Sequence, residues 1–376
     1  MRPTMRRISL GMLGKQDGFL LVAALTLLSV LVLVGGTAVL LSSTDLKISA
    51  NFRATESALQ VAMAGAARGR ELLRQLNAAS TDLTSFTDEL SGFKGSNGVL
   101  EGYAAGSDDV QVAAGTLNGV SYVVFATNDA QDSNGQYSAV DSNKRALLTS
   151  VATGPSGAKA RVETVVRVFD MLSSPSTIYT KGDVTGNGTS LTVSGDDACG
   201  SGPNLDAIYA KGDWNPNGTP TITGAITEFG SMDLDIAGMI NALKSAASIT
   251  ITADTNGATY GSSTDYKVVY SNTSSPVNVN GLKLSNVTGN GILLVDGDLE
   301  LAGGFNWNGM ILVTGAVKLN GGGNDPVNVG GQILSGTSTV TDISINGSNN
   351  IGYNSCNVKK ATASAPLTVL NWKQSF

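Results

Sequence analysis

The chain has 376 residues, of which 41% are hydrophobic and 14% charged, about half the charged fraction of an ordinary soluble domain. It contains no histidine and two cysteines, so the commonest catalytic base is missing and a zinc site lacks ligands. The formal charge is −6, and four cations (Arg2, Arg6, Arg7 and Lys15) against Asp17 crowd the first eighteen residues. The remaining body is acidic enough to exclude nucleic acid as a general partner, and no cofactor is expected.

The segment FLLVAALTLLSVLVLVGGTAVLL runs from Phe19 to Leu41 without a charge or a proline. As a helix it spans about 34 Å, enough to cross a hydrocarbon core of about 30 Å. Its upstream flank is basic and its first downstream charges are Asp45 and Lys47. The charge rule for membrane orientation therefore puts residues 1–18 in the cytoplasm and sends the rest across. A secretory signal peptide would have a shorter apolar stretch followed by a small-x-small cleavage site. A plain anchor gives no reason for Gly18-Phe19 at its edge. A leader cut after a glycine on the cytoplasmic face does. The helix should continue to about Ala79, because no proline or turn cluster interrupts it. Phe52, Leu59, Ala66 and Leu73 recur every seven residues, with Ala62 and Leu76 beside them.

Gly18-Phe19, the apolar helix, Ile48-Ser49-Ala50-Asn51 and Ala62-Met63-Ala64-Gly65 together resemble the N-terminal domain of PilX-type minor pilins over about residues 15–75. The resemblance implies a prepilin cut between Gly18 and Phe19 by prepilin peptidase. It also implies a subunit that meets other pilins through its N-terminal helix, in the inner membrane or extracellularly in a pilus. Asp17 and Met63 depart from the family pattern, and Ala23 would be the fifth mature residue, where major pilins carry glutamate. A lone carboxylate in lipid is costly unless paired. Its absence suits either a filament tip, where no preceding subunit's amine needs neutralising, or a chain that never polymerises.

Farther along, VSYVVFATND (120–129) reads as a strand. ALLTSVATG (146–154) and ARVETVVRVFD (160–170) read as a hairpin around Pro155-Ser156-Gly157. Between them Asp132, Asn134, Gly135 and Asp141 match the third, fifth, sixth and twelfth positions of a calcium loop. Ala130 at the first position and aspartate at the twelfth spoil the match. A solvated loop without metal is the favoured reading, with Asp132, Asn134 and Asp141 kept as calcium candidates.

The C-terminal half repeats itself. GILLVDGDLEL (291–301) aligns with GMILVTGAVKL (309–319) at an offset of eighteen, and GQILSGTSTV (331–340) follows. IYTKGDVTGNGT (178–189) and IYAKGDWNPNGT (208–219) repeat at an offset of thirty. Short strands with glycine corners at such periods suggest a parallel β-helix or a related stacked sheet. Stacking would place Leu299 on Val317, Leu301 on Leu319 and Glu300 beside Lys318. DLDIAGMINALKSAA (233–247) should be a helix that caps or buttresses the strands. Cys199 and Cys356 are a candidate disulfide closing about 157 residues; two buried free thiols are the alternative.

Asp296, Asp298 and Glu300 alternate as they would on one strand face, which invites a carbohydrate-cleaving reading. A solvated outer rung is the plainer account. Lys181-Gly182-Asp183 and Lys211-Gly212-Asp213 read as structural corners, and Trp214 or Trp307 could stack on sugars if exposed. The fold class is α+β followed by all-β. Residues 1–18 form a leader, 19–80 a transmembrane and amphipathic pilin helix, 81–170 a pilin-type antiparallel β region, and 171–376 a glycine-rich β-solenoid-like domain. The expected function is a non-enzymatic minor pilin-like subunit of a type IV pilus or related pseudopilus, at the tip or initiating assembly. A membrane-anchored or tip adhesin that binds a surface or glycan is the alternative, and a β-helix carbohydrate-active enzyme ranks third.

Overall fold

The computed structural model describes residues 17–80, 85–168, 174–188, 190–272, 281–336 and 343–375. Helix α1 runs unbroken from Asp17 to Ala79 (63 residues). Every residue from Phe19 to Arg53 is exposed, and the first residue fully buried is Ala58. From there Ala58, Val61, Ala62, Ala66 and Leu73 are buried against a sheet. Of the seven-residue row read from the sequence, Ala66 and Leu73 are buried in this contact and Leu59 packs beside it, whereas Phe52 is 70% exposed, as the flanking Leu76 is at 46%. A straight helix has 3.6 residues per turn, so a seven-residue row drifts off a flat surface. The row that stays in contact is made of small residues. A Cβ on Gly65 would collide with Ser150 and Tyr122, and one on Gly69 with Val124, so both glycines let the helix lie close to the sheet.

That sheet is antiparallel and five-stranded, ordered β1-β2-β3-β4-β24, where β24 is Thr368–Ser375 at the end of the chain. Its first four strands are β1 (Ala113–Leu117), β2 (Val120–Asn128), β3 (Arg145–Thr153) and β4 (Lys159–Arg167). The expected strand at 120–129 and the hairpin around Pro155–Gly157 are both present. Asn118 and Gly119 both take positive φ, closing β1 on β2 with the two-residue turn that Asn-Gly favours. A short helix α2 (Thr87–Phe93) packs Leu90 and Phe93 into the core that Leu73, Val124, Leu148 and Val166 share.

The remaining strands run in rungs. In chain order they are β5 (Ser176–Thr180), β6 (Val184–Asn187) and β7 (Leu191–Ser194), then β8 (Asp206–Ala210), β9 (Trp214–Asn217), β10 (Thr221–Thr223) and β11 (Ile226–Thr227). Helix α3 (Ile236–Leu243), N-capped by Asp235, follows. Next come β12 (Ile249–Ile251), β13 (Thr255–Asn256), β14 (Thr259–Tyr260) and β15 (Lys267–Asn272), then β16 (Leu282–Ser285) and β17 (Thr288–Asp296). The last rungs are β18 (Leu299–Ala302), β19 (Asn306–Val313), β20 (Val317–Gly321), β21 (Val327–Ser335), β22 (Ile343–Gly347) and β23 (Asn349–Gly352). Helix α4 (Ser355–Ser364) and β24 (Thr368–Ser375) end the described chain.

Among the described residues these rungs form one twelve-stranded and one seven-stranded sheet, and their strand pairs are parallel. Neither sheet closes on itself; each ends in edge strands. The register follows the eighteen-residue offset, with Leu299 opposite Val317, Leu301 opposite Leu319 and Glu300 opposite Lys318. In the seven-stranded sheet apolar residues alternate with polar ones, because one face meets the interior and the other meets water. In the twelve-stranded sheet the runs are continuously apolar. Leu293 and Val295 face the interior, while Ile292 and Leu294 face α3 and α4 on the outside.

The order of rungs in space is not their order in sequence. The chain enters the stack in its middle at β5 and winds outward to β11. It then crosses the outer face through α3 to the opposite end and winds back from β12 to β23. The two parts meet at a seam where β5 pairs with β21, β6 with β22 and β7 with β23. A second departure concerns the C-terminus. The sequence reading gave residues 171–376 to one domain, but β24 leaves the stack and pairs antiparallel with β4.

Gly291, Gly309 and Gly331 stack in register across β17, β19 and β21. The first two have φ of 134° and 132°, and a Cβ on any of the three would run into the carbonyl of the rung beside it. Gly309→Ala is therefore expected to cost about 2–3 kcal/mol in urea unfolding, whereas Gly323→Ala, which meets no atom within 4 Å, should be close to neutral.

Candidate functional site

The Gly18-Phe19 junction lies in the first turn of α1, and Phe19 is 78% exposed. Residues 1–16 of the expected leader lie outside the described residues. Downstream, the hydroxyls of Thr26, Ser29 and Thr37 donate to the carbonyl oxygens of Val22, Leu25 and Leu33 at 2.9–3.0 Å. The polar side chains of this segment are thus satisfied within the helix, as a hydrocarbon surrounding requires. From Phe19 onward α1 is long and apolar enough to cross a membrane, and its most apolar window is not buried against any other part of the fold.

At the far end of α1, Arg74 is paired with Glu71 at 2.7 Å. Its Nη1 also donates to the carbonyl oxygens of Ala363 and Ser364, at 3.4 and 3.5 Å, at the C-terminus of α4. A cation there is favoured by the helix dipole. The Arg74 hydrogen bond holds the Glu71 carboxyl below its ordinary range despite burial, and the same bond raises Arg74.

Cys199 and Cys356 are joined in a disulfide, with Cα atoms 5.8 Å apart and 157 residues between them in sequence. It links the β7–β8 loop to the start of α4, across the two parts of the stack. Next to it stands a carboxylate that the sequence reading missed. Asp197 Oδ1 accepts from the amides of Cys199 (3.1 Å) and Ser355 (2.8 Å). Its Oδ2 accepts from the amides of Ser201 (3.0 Å) and Gly202 (2.7 Å) and from Ser355 Oγ (2.7 Å). Burial alone would raise this carboxyl, but these donors outweigh it and hold the group well below the usual range. The signal was faint: an aspartate two residues before a cysteine, in a glycine-rich loop.

The calcium candidates do not converge on an empty site. Asp132 is buried, and Oδ2 takes the amides of Ser142 (2.7 Å) and Asn143 (3.0 Å) while Oδ1 takes the amide of Asn134 (2.7 Å). Asn134 Nδ2 also donates to Asp132 Oδ1 at 3.1 Å. Asp141 is buried as well, bonding the amides of Lys144 and Phe86 at 2.8 Å each. The loop is solvent-exposed at Gln131, Ser133, Asn134, Tyr137 and Val140, while its carboxylates Asp132 and Asp141 face inward and organise the backbone. Among the described residues no group of three or more His, Cys, Asp or Glu is arranged to hold a metal.

The acidic trio is also dispersed. Asp296 ends β17, Gly297 turns the chain at φ 139°, and only Glu300 lies on β18, so the three do not share a strand face. Asp298 accepts from the Ala316 amide at 2.7 Å, and Asp296 from Thr314 Oγ1 at 3.2 Å. Glu300 pairs with Lys283 on β16 at 2.8 Å, not with Lys318 on β20, and that bond lowers its pKa despite partial burial. Asn320 donates to the same Glu300 oxygen, Asn346 to Asn320, and Asn187 to Asn346, making an asparagine ladder that crosses the seam.

The two Lys-Gly-Asp corners stack on each other. Lys181 and Lys211 share Asp233, at 2.7 and 3.5 Å, and Asp183 accepts from the Asp213 amide at 2.8 Å. Trp307 is fully buried beside Phe305, and its indole donates to the Gly291 carbonyl at 3.1 Å, so it cannot stack on a sugar. The exposed tryptophan is Trp372 on β24.

Asp197→Asn is expected to destabilise the fold by about 2 kcal/mol at pH 7, since it removes a charged acceptor from several donors. The folded carboxyl sits below its unfolded value of about 3.9, so this contribution is complete above that pH and is lost as pH falls further. Urea midpoints of wild type and Asp197→Asn should therefore converge below about pH 4. Replacing both cysteines with serine should cost about 4–5 kcal/mol on the chain-entropy account, by the same measurement.

No family model and no curated protein matches the chain. Among solved structures it aligns with the crystal structure of the competence-associated pilin ComZ from Thermus thermophilus. Identity is 12%, coverage 86% of this chain and 98% of that one, and the TM-score 0.24. A likeness of that size carries no argument about fold or function.

Proposed function

We propose that the chain is a minor pilin-like structural subunit of a type IV pilus or related pseudopilus, made as a prepilin and acting without bond-breaking chemistry. The observation that carries this reading is α1 itself. One continuous helix is wholly exposed and apolar over Phe19–Leu41, then lies on a small antiparallel sheet from Ala58 onward. Burying a leucine- or valine-sized side chain gains about 1.5–3 kcal/mol, so an exposed rod of this length demands lipid or a bundle of similar rods. On this reading prepilin peptidase cuts between Gly18 and Phe19, leaving the rod in the inner membrane with the head in the periplasm. Other pilins are then its partners. Ala23 offers no carboxylate to a preceding subunit's amine, which supports a tip or assembly-initiating position. The stacked parallel rungs form a β-helix-like head, held at its seam by the disulfide. A second reading, an anchored or tip adhesin for a surface or glycan, is favoured by a cleft between rod and head lined by Tyr266, Lys360 and Ser364.

Leader processing tests the first reading. In cells with active prepilin peptidase, intact-mass spectrometry should find a chain beginning at Phe19. Gly18→Glu should leave residues 1–18 attached and remove the protein from sheared surface filaments. Full-length wild-type chain under these conditions would overturn it.

A further inference from the structure

A cleft of about 740 Å³ opens where the end of α1, helix α4 and the turn before β15 meet, a volume within the usual range for small-molecule sites. Two of its three cations are neutralised in its own walls. Arg74 is paired with Glu71 and Lys267 with Asp265, both at 2.7 Å. Lys360 has no carboxylate at ion-pairing distance among the described residues, and its ammonium stands 5.9 Å from the centre of the Tyr266 ring. The wall thus carries one excess positive charge on a chain whose formal charge is −6. Tyr266 is fixed by its hydroxyl donating to Asn357 Oδ1 at 2.9 Å. Ser263, Thr264 and Ser364 line the same space; Ser364 Oγ donates to the Ala361 carbonyl at 2.6 Å and keeps its lone pairs for a donor on a ligand.

A rigid aromatic, an uncompensated ammonium and several hydroxyl-bearing side chains suit a ligand that is itself hydroxyl-rich and carries a single carboxylate. We propose that this cleft binds a short acidic saccharide, with a carboxylate on Lys360 and ring hydroxyls on the serine and threonine side chains. A neutral sugar would leave the ammonium unmatched, and a simple anion would leave the hydroxyls unused. The inference rests on the binding-module reading. The two can fail separately: cells that still attach to a polysaccharide surface after Lys360→Glu keep the reading and lose the site.

The test uses the full chain in detergent micelles and calorimetric titration with a tetrasaccharide carrying a single uronic acid, a size of about four sugars chosen to fill a cleft of this class. A neutral oligosaccharide of equal length and inorganic phosphate serve as comparison arms. The acidic tetrasaccharide should bind, more weakly as salt rises, and Lys360→Glu should weaken it at least tenfold at an unchanged melting temperature. Lys360→Arg should retain binding, and Lys244→Glu, on the exposed surface of the head, should leave it unchanged. Absence of binding, equal binding of the neutral sugar, full competition by equimolar phosphate, or an unaltered Lys360→Glu variant would each overturn the proposal.

Discussion

The head depends on backbone pairing across the seam between β5–β7 and β21–β23. A strand buried on both faces must satisfy its amides and carbonyls with neighbouring strands, because no water reaches them. The continuous apolar runs of the twelve-stranded sheet are such strands. Were the seam to open, β21 would lose the partner of its second half, and Ile178 and Ile333, both fully buried, would meet solvent. The asparagine ladder, the disulfide and Asp197 all join the two parts at or beside this line. They reinforce a contact that chain connectivity does not supply, since the paired strands lie about 150 residues apart in sequence.

What the sequence disclosed follows from the range of the interactions concerned. The offset of eighteen between Gly291 and Gly309 is a local repeat, and each copy stacks on the next, so register could be read directly. The alternation of Leu299, Glu300 and Leu301 likewise announces one wet face. The Asn118-Gly119 turn was equally legible, a two-residue signal between strand-forming residues, and went unread. Helix α4 left a signal in the Asn354 cap, whose side chain accepts from the Asn357 amide at 2.9 Å, but the composition around it is polar and small. The inverted order of rungs left none. Nothing local to Ile178 says that its partner is Ile333, and nothing in TVLNWKQS says that it pairs with β4.

In helix α1 the seven-residue row marks the packing face in part: Leu59, Ala66 and Leu73 lie in the contact and Phe52 does not. A row seven apart drifts round a straight helix of 3.6 residues per turn, so it holds one face only over a few turns. The surface met is a sheet, and contact is kept by a row of small residues at spacings of three and four. Alanine and glycine carry little hydropathy signal, yet they permit the close approach that Gly65 and Gly69 make to Tyr122 and Val124. Phe52 and Met63, left outside this contact, remain available to whatever surrounds the rod.

The rod and the head are coupled at three points. The chain leaves the antiparallel sheet after β4 to build the stack and returns to the same strand as β24, so both ends of the stack's chain are anchored at one place. Arg74 adds a third tie by holding the last carbonyls of α4. A head hung on one linker would swing; a head fixed at entry, exit and helix end moves with the rod. That rigidity keeps the cleft beside Lys360 at a set distance from α1, because its walls belong to both.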